Sequence, residues 1–165
     1  AHARQHRHGP SGWRQGQRVT PPGGGLTSQT LYVRNTGIAA LPSGRSSFNP
    51  ALAALERLRP EVDRTAIDAA VPGAENAPEP LAIIIGTGAL ARVESKYAHK
   101  GYRYTSLDGG VVAQSLSDMG ALLGFEAWFS AAFDDAAIRD LLDIPTNAEI
   151  PLFVLYLVPA PGGAR

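Results

Sequence analysis

Between Ser95 and Phe133 the chain sets a cluster of basic and aromatic side chains directly ahead of its longest helical signal. Val112, Leu116, Met119 and Leu123 recur at intervals of four, three and four, the period of one helix face. Gly109, Gly110, Ala113, Gly120 and Ala121 keep the other faces thin, so another backbone can approach closely there. Thr105 and Ser106 are candidate caps for this helix, and Asp108 suits the positive end of its dipole. Lys96, Tyr97, His99, Lys100, Tyr102, Arg103 and Tyr104 crowd into the approach, where chemistry would sit.

A length of 165 residues with 44% hydrophobic content is enough for one domain with a real core. Fifteen basic and fifteen acidic residues balance to +0, which argues against nucleic acid or an anionic membrane as a non-specific partner. The chain has no cysteine, so disulfides, thiolate metal sites and a cysteine nucleophile are excluded. No apolar run approaches the roughly 20 residues of a membrane helix, and the N-terminus lacks a signal-peptide layout. A cytoplasmic protein without a dedicated metal is expected. Residues 1–19 read as an irregular basic arm; its His2, His6 and His8 are a place for adventitious metal at most.

Taken in order, two prolines and three glycines lead through Leu26 into a strand over Thr30–Arg34, and a second strand covers Ser46–Phe48. Asn49-Pro50 predicts a helix start, with Leu52, Leu55 and Leu58 as its apolar stripe and Pro60 as its stop. A short helix follows over Glu61–Ala70, then a buried strand over Leu81–Ile85. Phe125–Phe129 reads as a strand, Asp134 as the cap of a short helix with Ile138, Leu141 and Leu142 inward, and Ile150–Val158 as an interior strand. Helices and strands mix without strict alternation, so the fold class is α+β.

One chemical reading comes from spacing alone. Leu81–Ile85 followed by Gly86-Thr87-Gly88-Ala89-Leu90-Ala91 matches a strand entering G-x-G-x-x-A, with Asp108 about twenty residues on as a ribose acid. That predicts an NAD(P)-binding oxidoreductase.

A broader reading rests on resemblance. PPGGGLTSQTLYVR, SSFNPALAALERL, SKYAHKGYRYTSLDGGVVAQSL, SAAFDDAAIRDLLDI and IPLFVLYLV follow one another in an order that resembles the SagB-type azoline dehydrogenases of the nitroreductase superfamily. The resemblance implies a nitroreductase-like domain over residues 20–160, with a long central helix at a dimer interface where FMN lies. It implies oxidation of thiazoline or oxazoline rings to thiazole or oxazole in peptide natural products, ribosomal or non-ribosomal. Partners would be a second copy, a cyclodehydratase or a synthetase. It gives Lys96 and Tyr97 the catalytic base role, and Gly23, Gly24, Leu26, Gln114, Ser130, Ala131 and Ala132 contacts to the flavin.

The chain departs from the family pattern at Pro22, Val111, Ser115 and Ala131-Ala132, where Ser, His, Asn and Gly-Gly are usual. The arginine-serine signature that grips the flavin phosphate does not occur in these residues either. Two expectations follow: a preceding segment or a partner subunit supplies that grip, or the chain is a non-catalytic scaffold derived from the same fold.

Overall fold

The computed structural model describes residues 26, 28–41, 43–58, 62–145 and 148–161. Its strands are β1 (Gln29–Asn35), β2 (Gly44–Asn49), β3 (Ala54–Arg57), β4 (Ala82–Gly88), β5 (Phe125–Ser130) and β6 (Ile150–Pro159). Helices are α1 (Arg64–Ala70), α2 (Leu90–Tyr97), α3 (Gly101–Leu122) and α4 (Asp135–Leu142). The strands form one antiparallel sheet in the order β3-β2-β1-β4-β6-β5. This is the α+β architecture expected, with β4 and β6 as its apolar interior.

Alternation along the two central strands makes two cores. Ile83, Ile85, Val154 and Tyr156 face α1 and α4, packing on Ile67, Ile138 and Leu142. Ile84, Phe153 and Leu155 face the opposite way, onto Ala113 of α3. Asp134 caps α4 as expected, its carboxylate accepting from the N–H groups of Ala136 and Ala137 at 2.9 and 3.0 Å. On the α1 side, the buried Tyr156 hydroxyl donates to Asp68 at 3.0 Å, and Arg64 donates to the other oxygen of that carboxylate at 3.0 Å.

Three expectations are corrected. The helix predicted from Asn49-Pro50 is a tight turn and strand β3, because the Asn49 side chain accepts from the N–H groups of Ala51 and Leu52 and folds the chain back as an Asx turn. Gly86 and Gly88 belong to β4, hydrogen-bonded to antiparallel neighbours on both sides, rather than to a strand-to-helix turn of a parallel unit. The long helix starts at Gly101, not near Thr105, which leaves Asp108 inside it.

The orientation of α3 also differs from a naive reading of its periodicity. Its small residues Gly101, Thr105, Gly109, Ala113 and Gly120 are the buried ones, lying on α2 and the sheet. A Cβ at Gly109 would stand 2.9 Å from Leu152, and one at Gly120 would stand 3.2 Å from Leu157. Val112 and Leu116 pack beside Ala113 against the second core, whereas Met119 and Leu122 point away, 54% and 80% exposed.

Candidate functional site

The approach to α3 is a sharp corner. α2 carries Arg92, Lys96 and Tyr97 and ends where Ala98 takes φ 48° and ψ −136°, a conformation that L-residues rarely adopt. A 3-10 turn over Ala98–Lys100 then hands the chain to α3. Gly101 is buried against α2, and a Cβ there would stand 3.0 Å from the Glu94 nitrogen, so the corner closes only around a glycine. Tyr97 leaves helical geometry at φ −117° and ψ 5°, which lets adjacent Lys96 and Tyr97 escape the divergence of a regular helix.

Two aromatic contacts fix the pair. The Lys96 ammonium stands 5.2 Å from the centroid of the Tyr97 ring, and Tyr97 meets Tyr104 edge to face at 4.7 Å. Lys96 is exposed, while Tyr97 and Tyr104 are half-buried.

The other expected site residues are distributed as follows. Gly23 and Gly24 lie outside the described residues, as do His2, His6 and His8; Leu26 is half-buried. Ser130 is buried at the end of β5, where its hydroxyl accepts from the Ala132 N–H at 3.1 Å; Ala131 and Ala132 are exposed. Gln114 is exposed and donates to Asp118 at 2.8 Å. Ten residues of α3 separate it from Tyr104, about 15 Å along the axis, so one chain does not bring Gln114 to Lys96 and Tyr97.

Sequence reading missed two polar features at the same end of the sheet. Glu149, just ahead of β6, accepts hydroxyl hydrogens from Thr30 at 2.9 Å, from Tyr32 at 3.3 Å and from the fully buried Thr87. Burial, the Glu149 charge and this hydrogen bond push the Tyr32 phenol up to about 12. A lone acid ahead of an apolar strand was the available signal. The second feature is a set of buried polar atoms without hydrogen-bond partners, Ser28 Oγ, Gln29 Nε2 and Thr105 Oγ1. Gln29 pairs with Gly88, where a Cβ would collide with Thr105, so two of them flank one crossing of β4 beneath α3. Nothing in local sequence distinguishes these three residues.

An antiparallel six-stranded sheet with a long helix across it and short helices behind defines a nitroreductase-like fold. Among the solved structures it resembles are proteins described as nitroreductases. A protein of Anabaena variabilis assigned to the nitroreductases superposes with a TM-score of 0.76 at 26% identity, over 86% of this chain and 29% of that one. A chain of the E. coli microcin synthetase McbBCD complex, with truncated pro-MccB17 bound, gives 0.77 at 16% identity, over 88% of this chain and 56% of that one. A Staphylococcus epidermidis protein assigned as an NAD(P)H:FMN oxidoreductase gives 0.60 at 10% identity, over 88% and 73%. This chain thus spans well under two thirds of the first two. No family model and no curated protein matches the sequence.

Proposed function

We propose that this chain forms a flavin-dependent dehydrogenase that oxidises thiazoline or oxazoline rings in a peptide to thiazole or oxazole. The observation that carries the reading is the Lys96–Tyr97 pair, held at a built corner by Tyr104 and Gly101, in a nitroreductase-like fold whose neighbours include a peptide-modifying synthetase complex.

The residues present fit a polar planar cofactor on one structural ground. Ser28 and Gln29 at the start of β1 and Thr105 of α3 offer buried polar atoms with no partner, and buried polar groups are otherwise satisfied almost without exception. Gly23, Gly24 and Leu26 would hold the ring of FMN by backbone contacts, with Gln114 and the 130–132 segment at its polar edge. Bound flavin would supply the acceptor for the hydride that leaves one ring carbon of the azoline. Tyr97, with Lys96 beside it, would take the proton from the neighbouring carbon; Tyr104 keeps the phenol ring aimed. Because Gln114 lies far along α3 from this pair, a complete site calls for a second chain. Exposed Leu107, Val111, Met119, Leu122 and Leu123 give α3 an apolar surface for a second copy, or for a cyclodehydratase or synthetase subunit, to cover.

Purified protein incubated with FMN and desalted should keep the yellow absorbance of bound flavin and should aromatise a thiazoline-containing peptide. A colourless protein with no turnover overturns the reading.

One observation favours a second reading, a non-catalytic scaffold. The Ala132 N–H is already engaged by Ser130, so that amide is withdrawn from any ligand. A scaffold should co-purify stably with a synthetase, a cyclodehydratase or an active dehydrogenase subunit; a free homodimer in their presence counts against it.

A further inference from the structure

Three of the described cations are tied to the fold. Arg34 donates to the carbonyls of Val62 and Asn35 at 2.7 and 2.6 Å, Arg45 donates to the Leu141 carbonyl at 2.9 Å, and Arg64 is bonded to Asp68 and Glu79. These three serve the fold. By contrast, His99, Lys100 and Arg103 are exposed at the α2–α3 corner, beside Arg92 and Lys96, which have interactions of their own, and Glu94 is the one acid among residues 92–103.

Local stability does not account for this placement. Cations beside the C-terminus of α2 are favourable, but Lys100 and Arg103 also sit at the positive end of the 22-residue α3. No acid occupies the first turn of that helix, and the side chain of its N-cap residue, Lys100, makes no capping bond. Nor do the His99, Lys100 and Arg103 side chains make any hydrogen bond or ion pair with another described residue. Lys100 and Arg103 therefore leave two positive charges unpaired by any described residue beside Tyr97, in a chain whose formal charge is +0.

We propose that this corner docks an acidic segment of the peptide that carries the ring, with Lys100 and Arg103 as its specificity-determining side chains. The proposal rests on the dehydrogenase reading for its substrate but not for its test. Exposed Tyr102 between the two cations adds an aromatic surface for peptide backbone and side chains. The patch does not extend into an electrostatic phosphate track. Arg34, Arg45 and Arg64 are turned to internal partners, and Arg139 shares its helix and cap with Asp134, Asp135, Asp140 and Asp143.

A fluorescein-labelled peptide of alternating Glu and Gly, its Lys-Gly counterpart and a labelled single-stranded DNA should be titrated with the full chain by anisotropy. The Glu-Gly peptide should bind at low salt and be released in about 1 M salt, where the screening length is about 3 Å. Lys100→Glu with Arg103→Glu should weaken it about tenfold or more with Tm unchanged, since both side chains are exposed. Equal binding by the double variant, equal binding of the Lys-Gly peptide, or preference for the DNA overturns the proposal. Binding of the acidic peptide by a chain that oxidises no azoline overturns the dehydrogenase reading alone. Turnover with the same KM for azoline peptides with and without an acidic flank overturns the docking surface alone.

Discussion

Tyr97 and Tyr104 stand edge to face across the α2–α3 corner with 4.7 Å between ring centroids, so the last residue of one helix is held by the first turn of the next. Such a pair is worth about 0.5–1.5 kcal/mol beyond its buried area. Tyr104→Leu should therefore cost little stability yet free the Tyr97 ring. In the proposed reaction kcat should fall while KM holds, and flavin content should stay near the parent level. An unchanged kcat in steady-state assays would show that Tyr104 does not aim Tyr97.

Ala98 carries a positive φ that glycine adopts freely. The strain at such a position is about 1–3 kcal/mol, against a glycine entropy cost of about 0.5–1 kcal/mol. Ala98→Gly should raise Tm, by about 2–4 °C per kcal/mol gained in a chain of this size. Calorimetry giving a lower Tm would refute the strained corner.

Two glycines should respond in opposite directions. A Cβ at Gly86 would fall inside the Phe153 ring, which is itself 1% exposed, so Gly86→Ala should overpack the core and cost about 1–3 kcal/mol. Gly110 lies inside α3 with open space where an added methyl would stand, nothing coming within 4 Å of it, and Gly110→Ala should gain up to about 1 kcal/mol of helix propensity. Urea unfolding of the two variants gives both signs directly.

The Tyr32 phenol provides a pH signature. Its folded value is raised to about 12, so the folded chain keeps a proton that the unfolded chain releases above about 10. The associated stability is full below pH 10 and is lost as pH climbs from about 10 to 12. Tyr32→Phe should lower Tm at neutral pH by removing one hydrogen bond to Glu149, and should flatten the alkaline decline. An alkaline profile identical to the parent would place the titrating group elsewhere.

The strands were legible where chemistry left one choice. Leu81–Ile85 and Ile150–Val158 are continuous apolar runs, and both became interior strands. Residues 49–58 were not legible, because Asn49 offers the same acceptor to a helix start and to an Asx turn, and the Leu spacing suited the helix. The true arrangement pairs Phe48 with Leu55 across β2 and β3 and leaves Leu52 68% exposed. In α3 the periodic stripe splits: Val112 and Leu116 pack against the second core, whereas Met119 and Leu123 are exposed. Leu152 and Leu157 lie close enough to Gly109 and Gly120 that an added Cβ would crowd them, a packing demand that periodicity does not reveal. At the site, Lys96 and Tyr97 stood out by composition, whereas Glu149, Gln29 and Thr105 acquire meaning only through neighbours far away in sequence.

β6 sits between β4 and β5, yet it follows both in the chain. During synthesis, β5 has no strand to pair with until Ile150–Pro159 has left the ribosome, and the outward edge of β4 stays open for just as long. Ile83, Ile84 and Ile85 are thus exposed on the nascent chain until its final described strand arrives to fill the gap. The sheet closes as an insertion rather than an extension, so truncation within β6 should yield an aggregating chain instead of a smaller folded one.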